Sequence, residues 1–259
     1  MDDDQQDNER PAVLVTGGAK RIGQAIATDL ARHRFDVAIH ANRSIDKAQA
    51  LAEALTASGG RAVAVQADLT DAIRARDLVR QASDALGRPV DILVNNASIF
   101  LDDAVGAIDE GAWDAHFDLH LRAPVLLGEA MADALPEGAH GLIVNMIDQR
   151  VWKLTPRFFS YTLSKSALWT ATRTMAQALA PRIRVNAIGP GPTLKNPRQS
   201  DAAFRAQAEA VPLGHGPNLA EFGATIRYLW KARSVTGQMI ALDGGQHLAW
   251  RTPDATGAE

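Results

Sequence analysis

Tyr161 and Lys165 stand four residues apart in "YTLSKSAL", a stretch with helical character, and Asp148 closes the apolar run "LIVNMID" thirteen residues before the tyrosine. Residues at i and i+4 share one face of a helix. A free phenol keeps its proton up to about pH 10, and a nearby ammonium favours the phenolate and lowers that value. The pair therefore reads as a general acid, Tyr161, tuned by Lys165. Asp148 adds a second proton carrier, because a carboxylate and a phenol in contact titrate as a pair that shares a proton. The plainer readings stand beside these: Y-x-x-x-K is also a common surface-helix pattern, and Asp148 could be a strand-end cap or a partner for Arg150.

The elements that must position these groups follow from periodicity. Short β-rich apolar runs at 12–16, 37–40, 62–66, 92–95, 142–146, 185–188 and 239–242 alternate with alanine- and leucine-rich helical stretches such as 22–33, 46–57 and 164–180. Strands that are apolar on both faces and separated by helices imply a parallel sheet covered on both sides, which is a doubly wound α/β architecture. Residues 1–10 read as a disordered acidic leader, 11–250 as one domain and 251–259 as a loose tail. The proline-containing stretch 189–199 and the motif-free stretch 201–216 read as long loops, the second covering a substrate.

The first strand runs into "TGGAKRIG", Thr16 to Gly23, and then a helix. Glycines at such a turn let backbone N–H groups approach phosphate, and the helix N-terminus adds partial positive charge. The spacing departs from G-x-G-x-x-G, with Arg21 where a middle glycine could stand. The second strand ends in "HANRS", His40 to Ser44. An NAD enzyme places a carboxylate there to hold the ribose hydroxyls. A guanidinium and a hydroxyl, Arg43 and Ser44, suit a 2′-phosphate instead, so the sequence predicts NADPH.

The 259 residues suffice for one large core. A net charge of −3, with 46% hydrophobic and 22% charged residues, gives no basic surface for nucleic acid and no membrane partner. The absence of cysteine excludes disulfides and thiolate chemistry. The polar start lacks the parts of a signal peptide, so the expected location is cytoplasmic.

Taken together, "TGGAKRIG", "ADL" at 67–69, "NNAS" at 95–98, "YTLSK", "RVNAIGPGPT" and "LDGG" resemble the short-chain dehydrogenase/reductase family over residues 11–250. The resemblance implies a Rossmann-like fold with seven parallel strands, hydride transfer from a nicotinamide, and a homotetramer. Within the family the chain is most similar to pteridine reductases, through Arg21, "HANRS", "NNASIF" and an aspartate where the family's usual catalytic serine stands. That similarity implies a catalytic group of Asp148, Tyr161 and Lys165, with Phe100 stacked on a pterin and Arg21 and Ser98 lining the site. It implies a cofactor held by Gly17, Arg21, Ile22, Gly23, His40, Asn42, Arg43, Ser44, Asp68, Leu69, Asn96, Ala97, Ser98, Tyr161, Lys165, Pro190, Gly191 and Thr193. His120 stands where the family has a relay asparagine, and serves either a relay or helix packing. Phe100 is either a stacking platform or packing, and the stripe Leu168, Ala171, Met175 and Leu179 faces either the core or another subunit.

The aspartate also bears on the substrate. An ionised Asp148 repels the oxyanion that forms in ketone reduction, by about 4 kcal/mol at about 4 Å and an effective dielectric of about 20, roughly three decades in rate. A pterin offers ring nitrogens that accept protons, so the expected reaction is C=N reduction of a dihydropterin. The competing expectations are a carbonyl reductase of oxoacyl thioesters with Asp148 protonated, and a non-catalytic NADP(H) sensor.

Overall fold

The computed structural model describes residues 10–196 and 198–250. The expected leader up to residue 9, Pro197 and the tail 251–259 lie outside the described residues. Seven strands, β1 (Ala12–Val15), β2 (Asp36–Ala41), β3 (Arg61–Gln66), β4 (Ile92–Asn95), β5 (Gly141–Met146), β6 (Ile183–Pro190) and β7 (Met239–Leu242), form one sheet in the order β3-β2-β1-β4-β5-β6-β7. Every strand pairing is parallel.

Alternation along the strands builds two cores. Val13 and Val15 of β1 point to a layer containing Ile26 and Leu30 of α1 (Arg21–Arg32), Leu55 of α2 (Ile45–Ala57), and Phe222, Ile226 and Leu229 of α8 (Leu219–Lys231). Ala12 and Leu14 point the other way, to Leu78 and Leu86 of α3 (Ala72–Leu86), Leu127 and Met131 of α5 (Ala123–Ala134), and Ala176 of α6 (Phe159–Leu179). With period two and both faces covered, the strands are apolar throughout. The chain reverses its direction of winding between β1 and β4, and the crevice of such a sheet opens outside the strand C-termini at that switch point. The loops after β1, β2, β4, β5 and β6, which carry most of the candidate residues, meet there.

The elements differ from the sequence reading in four places. Arg10, read as leader, is fastened at the start of β2: its Nε donates to Asp36 at 2.7 Å and its carbonyl accepts from Arg88. β6 continues through Gly189 and Pro190, which pair with Ala241 and Leu242. Pro190 is tolerated because β5 ends opposite Ile188, so no β5 carbonyl is left waiting for its missing N–H. Residues 201–209, read as loop, form α7 (Asp201–Glu209), capped by the Ser200 hydroxyl on the Ala203 N–H. α6 begins at Phe159, not Ser164, because its cap is remote: both carboxylate oxygens of Asp103 accept the Ser160 N–H, at 3.0 and 3.2 Å.

α4 (Glu110–Phe117) runs into α5 through one π-helical turn, Asp118–Arg122. Such turns recur at functional sites. The stripe on α6 faces inward, with Leu168 buried and Met175 and Leu179 packed on the second core.

Candidate active site

The loop after β1 is built to keep backbone bare. Gly17 has φ +61, and a Cβ there would stand 2.9 Å from the Ala97 Cα. A Cβ on Gly23 would fall on the Gly17 carbonyl and the Asn96 amide. Thr16 organises the floor: its hydroxyl accepts the Asn96 and Ala97 N–H groups at 2.9 and 3.0 Å and donates to the Val94 carbonyl at 3.2 Å. Asn96 returns its side-chain amide to the carbonyls of Thr16 and Gly17. α1 then starts with no side-chain cap, so its first N–H groups and dipole face the cleft. Ile22 is half-buried against the first core. This is a cradle for a diphosphate that a side chain at either glycine would fill.

His40 has a different role from the one its position suggested. It is buried, its Nδ1 accepts the Gly17 N–H at 3.2 Å, and its Nε2 donates to the Ala67 carbonyl at 3.0 Å. Burial lowers its pKa to about 4. A neutral ring with both nitrogens committed to backbone braces the phosphate loop. Arg43 is exposed beyond it, and the Ser44 hydroxyl stands at the start of α2 without capping it. The Asn42 carbonyl accepts the Gln66 side-chain amide at 2.8 Å, and the Asp68 carboxylate takes the Thr70 hydroxyl and N–H, bonds that hold its pKa low. Leu69 is buried beside it.

Across the cleft, Gly191 donates its N–H to Leu242, and its Cα hydrogens rest on Asp243 so closely that a Cβ would stand 2.6 Å from the Asp243 Cα. Thr193 donates to the Gly191 carbonyl. Arg21, in a left-handed conformation with φ 53, reaches over the cleft to the carbonyls of Leu194 and Lys195 at 3.2 and 3.1 Å. The phosphate loop and the loop after β6 are thus laced together.

The proton-bearing groups meet at the end of β5. Tyr161 Oη donates to Asp148 Oδ2 at 2.9 Å. The other carboxylate oxygen, Oδ1, accepts the Arg150 N–H and caps the short turn Gln149–Val151, so the cap reading and the chemical reading of Asp148 hold together. Burial raises the Asp148 pKa. Lys165 Nζ is buried, donates to the Met146 carbonyl at 2.7 Å, and is lowered by burial to about 8. The expectation that Lys165 lowers the phenol is overturned. Burial and then the Asp148 carboxylate push Tyr161 well above the usual tyrosine value, and the Lys165 ammonium, 5.9 Å from the ring centroid, does not offset them. Tyr161 is held as the neutral donor.

Aromatic rings surround that phenol. Phe100 meets it edge-on at 4.7 Å between centroids, His120 at 5.3 Å and His116 at 5.8 Å. The Ser98 hydroxyl meets His120 Nε2 at 3.0 Å. Phe100 stacks on Phe158 at 4.1 Å, and the Arg150 guanidinium lies over both rings. Phe158, His116 and Arg198 were not singled out from the sequence, and Arg150 only as a partner for Asp148. For His116 a signal existed: "HFDLH" and "SYTLS" each place identical residues four apart, and the structure zips His116 to Ser160 and His120 to Ser164.

A phosphate cradle at a switch point, beside a tyrosine, a lysine and a carboxylate, defines a dinucleotide-dependent oxidoreductase. Residues 11–205 match the short chain dehydrogenase family model, and the chain belongs to that family. It is similar to FolM alternative dihydrofolate reductase 1 of Brucella suis in complex with NADP, with 63% identity, a TM-score of 0.92, and coverage of 95% of this chain and 98% of that one. An uncharacterised oxidoreductase of Methylorubrum extorquens is 34% identical over 92% of this chain and 98% of its own. A 3-oxoacyl-[acyl-carrier-protein] reductase of Staphylococcus epidermidis is 29% identical over 92% and 99%.

Proposed function

We propose that the protein is an NADPH-dependent reductase of dihydropterin-type substrates, adding hydride to a ring C=N carbon and a proton to its nitrogen. The observation that carries this reading is the 2.9 Å Tyr161–Asp148 bond beside the ring of Phe100. It is supported by 63% identity to an alternative dihydrofolate reductase crystallised with NADP.

The residues present fit the dinucleotide. Gly17 and Gly23 leave the cradle for its diphosphate, Arg43 and Ser44 suit a 2′-phosphate, and no carboxylate ends β2 to exclude one. When bound there, the cofactor supplies the hydride. Lys165 uses one N–H on Met146 and has two more for ribose hydroxyls. Tyr161, kept protonated, delivers its proton to the substrate nitrogen. The phenolate left behind would face Asp148, so a proton carried on that burial-raised carboxyl refills it across the same bond. Phe100, with one face on Phe158, offers the other to a planar ring.

A second reading, reduction of an oxoacyl thioester, draws on the raised Asp148 pKa, since a neutral carboxyl would not repel an oxyanion. The two are separated by following NADPH oxidation on 7,8-dihydropterin and on a 3-oxoacyl thioester. Turnover of the pterin alone supports the first, and turnover of the thioester alone replaces it with the second. Among the described residues no helix is long and apolar enough to cross a membrane. The proposal includes a cytoplasmic homotetramer, supported by the exposed apolar group Trp152, Leu154, Leu248 and Trp250 and testable by light scattering.

A further inference from the structure

We propose that His116 and His120 form a tandem clamp that fixes Phe100, and that His116 is a positioning residue for the binding of a planar aromatic substrate. The inference rests on the pterin reading, which gives the stacking face of Phe100 its purpose.

Residues 96–103 form neither helix nor strand. Within them the two amides that flank Phe100 go to two imidazoles: Ile99 N–H to His120 Nε2 at 3.2 Å, and Leu101 N–H to His116 Nε2 at 3.3 Å. A backbone N–H can only donate, so both Nε2 atoms are acceptors and both ring protons sit on Nδ1. Those protons meet the hydroxyls of Ser160 at 2.8 Å and Ser164 at 3.0 Å. Ser164 passes its own hydrogen to the Tyr161 carbonyl at 2.8 Å. Each histidine therefore spans from the Phe100 loop to the helix that carries Tyr161.

The spacing fits the task. Alternate residues of an extended chain lie about 6.6 Å apart, and the two rings stack one turn apart with centroids at 5.3 Å and an angle of 22°. Both rings are fully buried. Desolvation, with a contribution from the Lys165 ammonium, holds both below the ordinary histidine value, while Asp103 works the other way on His116. The rings are thus neutral and able to accept. The Phe100 carbonyl takes the Arg198 guanidinium at 2.6 Å. With both neighbouring amides and its own carbonyl held, the Phe100 backbone is fixed, and its ring, stacked on Phe158, stays against Tyr161.

The test uses the full chain and side-chain isosteres. His116→Gln retains an acceptor where Nε2 stands, whereas His116→Asn retains a group only near Nδ1. In His116→Asn the Leu101 amide, followed by NMR hydrogen exchange, should lose about tenfold in protection, and KM for 7,8-dihydropterin should rise about five- to tenfold. The kcat and the NADPH dissociation constant should stay within about twofold, and His116→Gln should restore both readouts. Ser160→Ala, which leaves the ring but removes its Nδ1 partner, should move them in the same direction by less. Unchanged Leu101 protection in His116→Asn, or KM and NADPH affinity shifting together, would overturn the clamp. If wild-type protein does not turn over dihydropterin, the functional reading falls, and with it the substrate role of His116. The Leu101 exchange still decides the clamp by itself.

Discussion

Replacing Asp148 by serine should trade one substrate class for another. The carboxylate lies 2.9 Å from the Tyr161 hydroxyl, so a carbonyl oxygen taking the same phenol hydrogen bond would sit about 4 Å from it. At an effective dielectric of about 20, that charge opposes a developing oxyanion by about 4 kcal/mol, or roughly three decades. The raised Asp148 pKa makes this a ceiling, because a protonated fraction repels nothing. Asp148→Ser should therefore raise kcat/KM for a 3-oxoacyl thioester between about tenfold and about a thousandfold. The loss of a proton carrier should lower kcat for 7,8-dihydropterin by about a hundredfold or more. Serine is also a cap residue, so it can keep the hydrogen bond to the Arg150 N–H, and thermal stability should change little. Both activities are read as NADPH oxidation on the same preparation. Undiminished pterin turnover in the serine variant would refute the argument.

Three further outcomes follow from the same geometry. Arg43→Ala should raise the NADPH KM by about ten- to a hundredfold, the worth of a charge-assisted phosphate contact, with NADH kinetics unchanged; equal effects on both cofactors would remove Arg43 from the phosphate site. Phe100→Ala should raise the dihydropterin KM about five- to tenfold through lost stacking, with the NADPH dissociation constant as the control. The His40 pKa, about 4 when folded against about 6.5 unfolded, makes stability pH-dependent: nothing is lost above 6.5, and below it the unfolded chain takes a proton that the folded one refuses. Roughly 3 kcal/mol then drains away as pH falls from 6.5 through 4, so urea unfolding of His40→Gln should be flatter than wild type by about that amount over the interval.

The strands were legible to within two residues at either end because a parallel sheet buried on both sides writes itself as apolar runs. The Asp148, Tyr161 and Lys165 grouping and the glycine-rich loop after β1 were legible because their residues lie close along the chain. What was missed shares a physical cause. The start of α6 is capped by Asp103, 57 residues upstream of Ser160, so no local signal marks it. α7 has no buried residue and hence no apolar face for periodicity to register. The phenol's partner was misjudged because sequence spacing gives Lys165 a place on the helix but does not say that Met146 holds its ammonium. That His40 braces the loop is visible only from its burial and its Gly17 and Ala67 contacts, which sequence spacing does not give.

α7 has one further consequence. It follows directly on Arg198, whose guanidinium holds the Phe100 carbonyl, and it is secured at its start by the Lys195–Asp201 ion pair and the Gln199–Gln207 bond. Nine residues with nothing buried form a helix that is marginal in water on its own. Its order is therefore set by what lies against it and is nearly independent of the two cores. The free energy of ordering this segment enters the affinity of any molecule that orders it, and the Arg198 bond to the Phe100 carbonyl ties that order to the Phe100 loop. Substitutions there change local order at little cost to the global stability of the sheet.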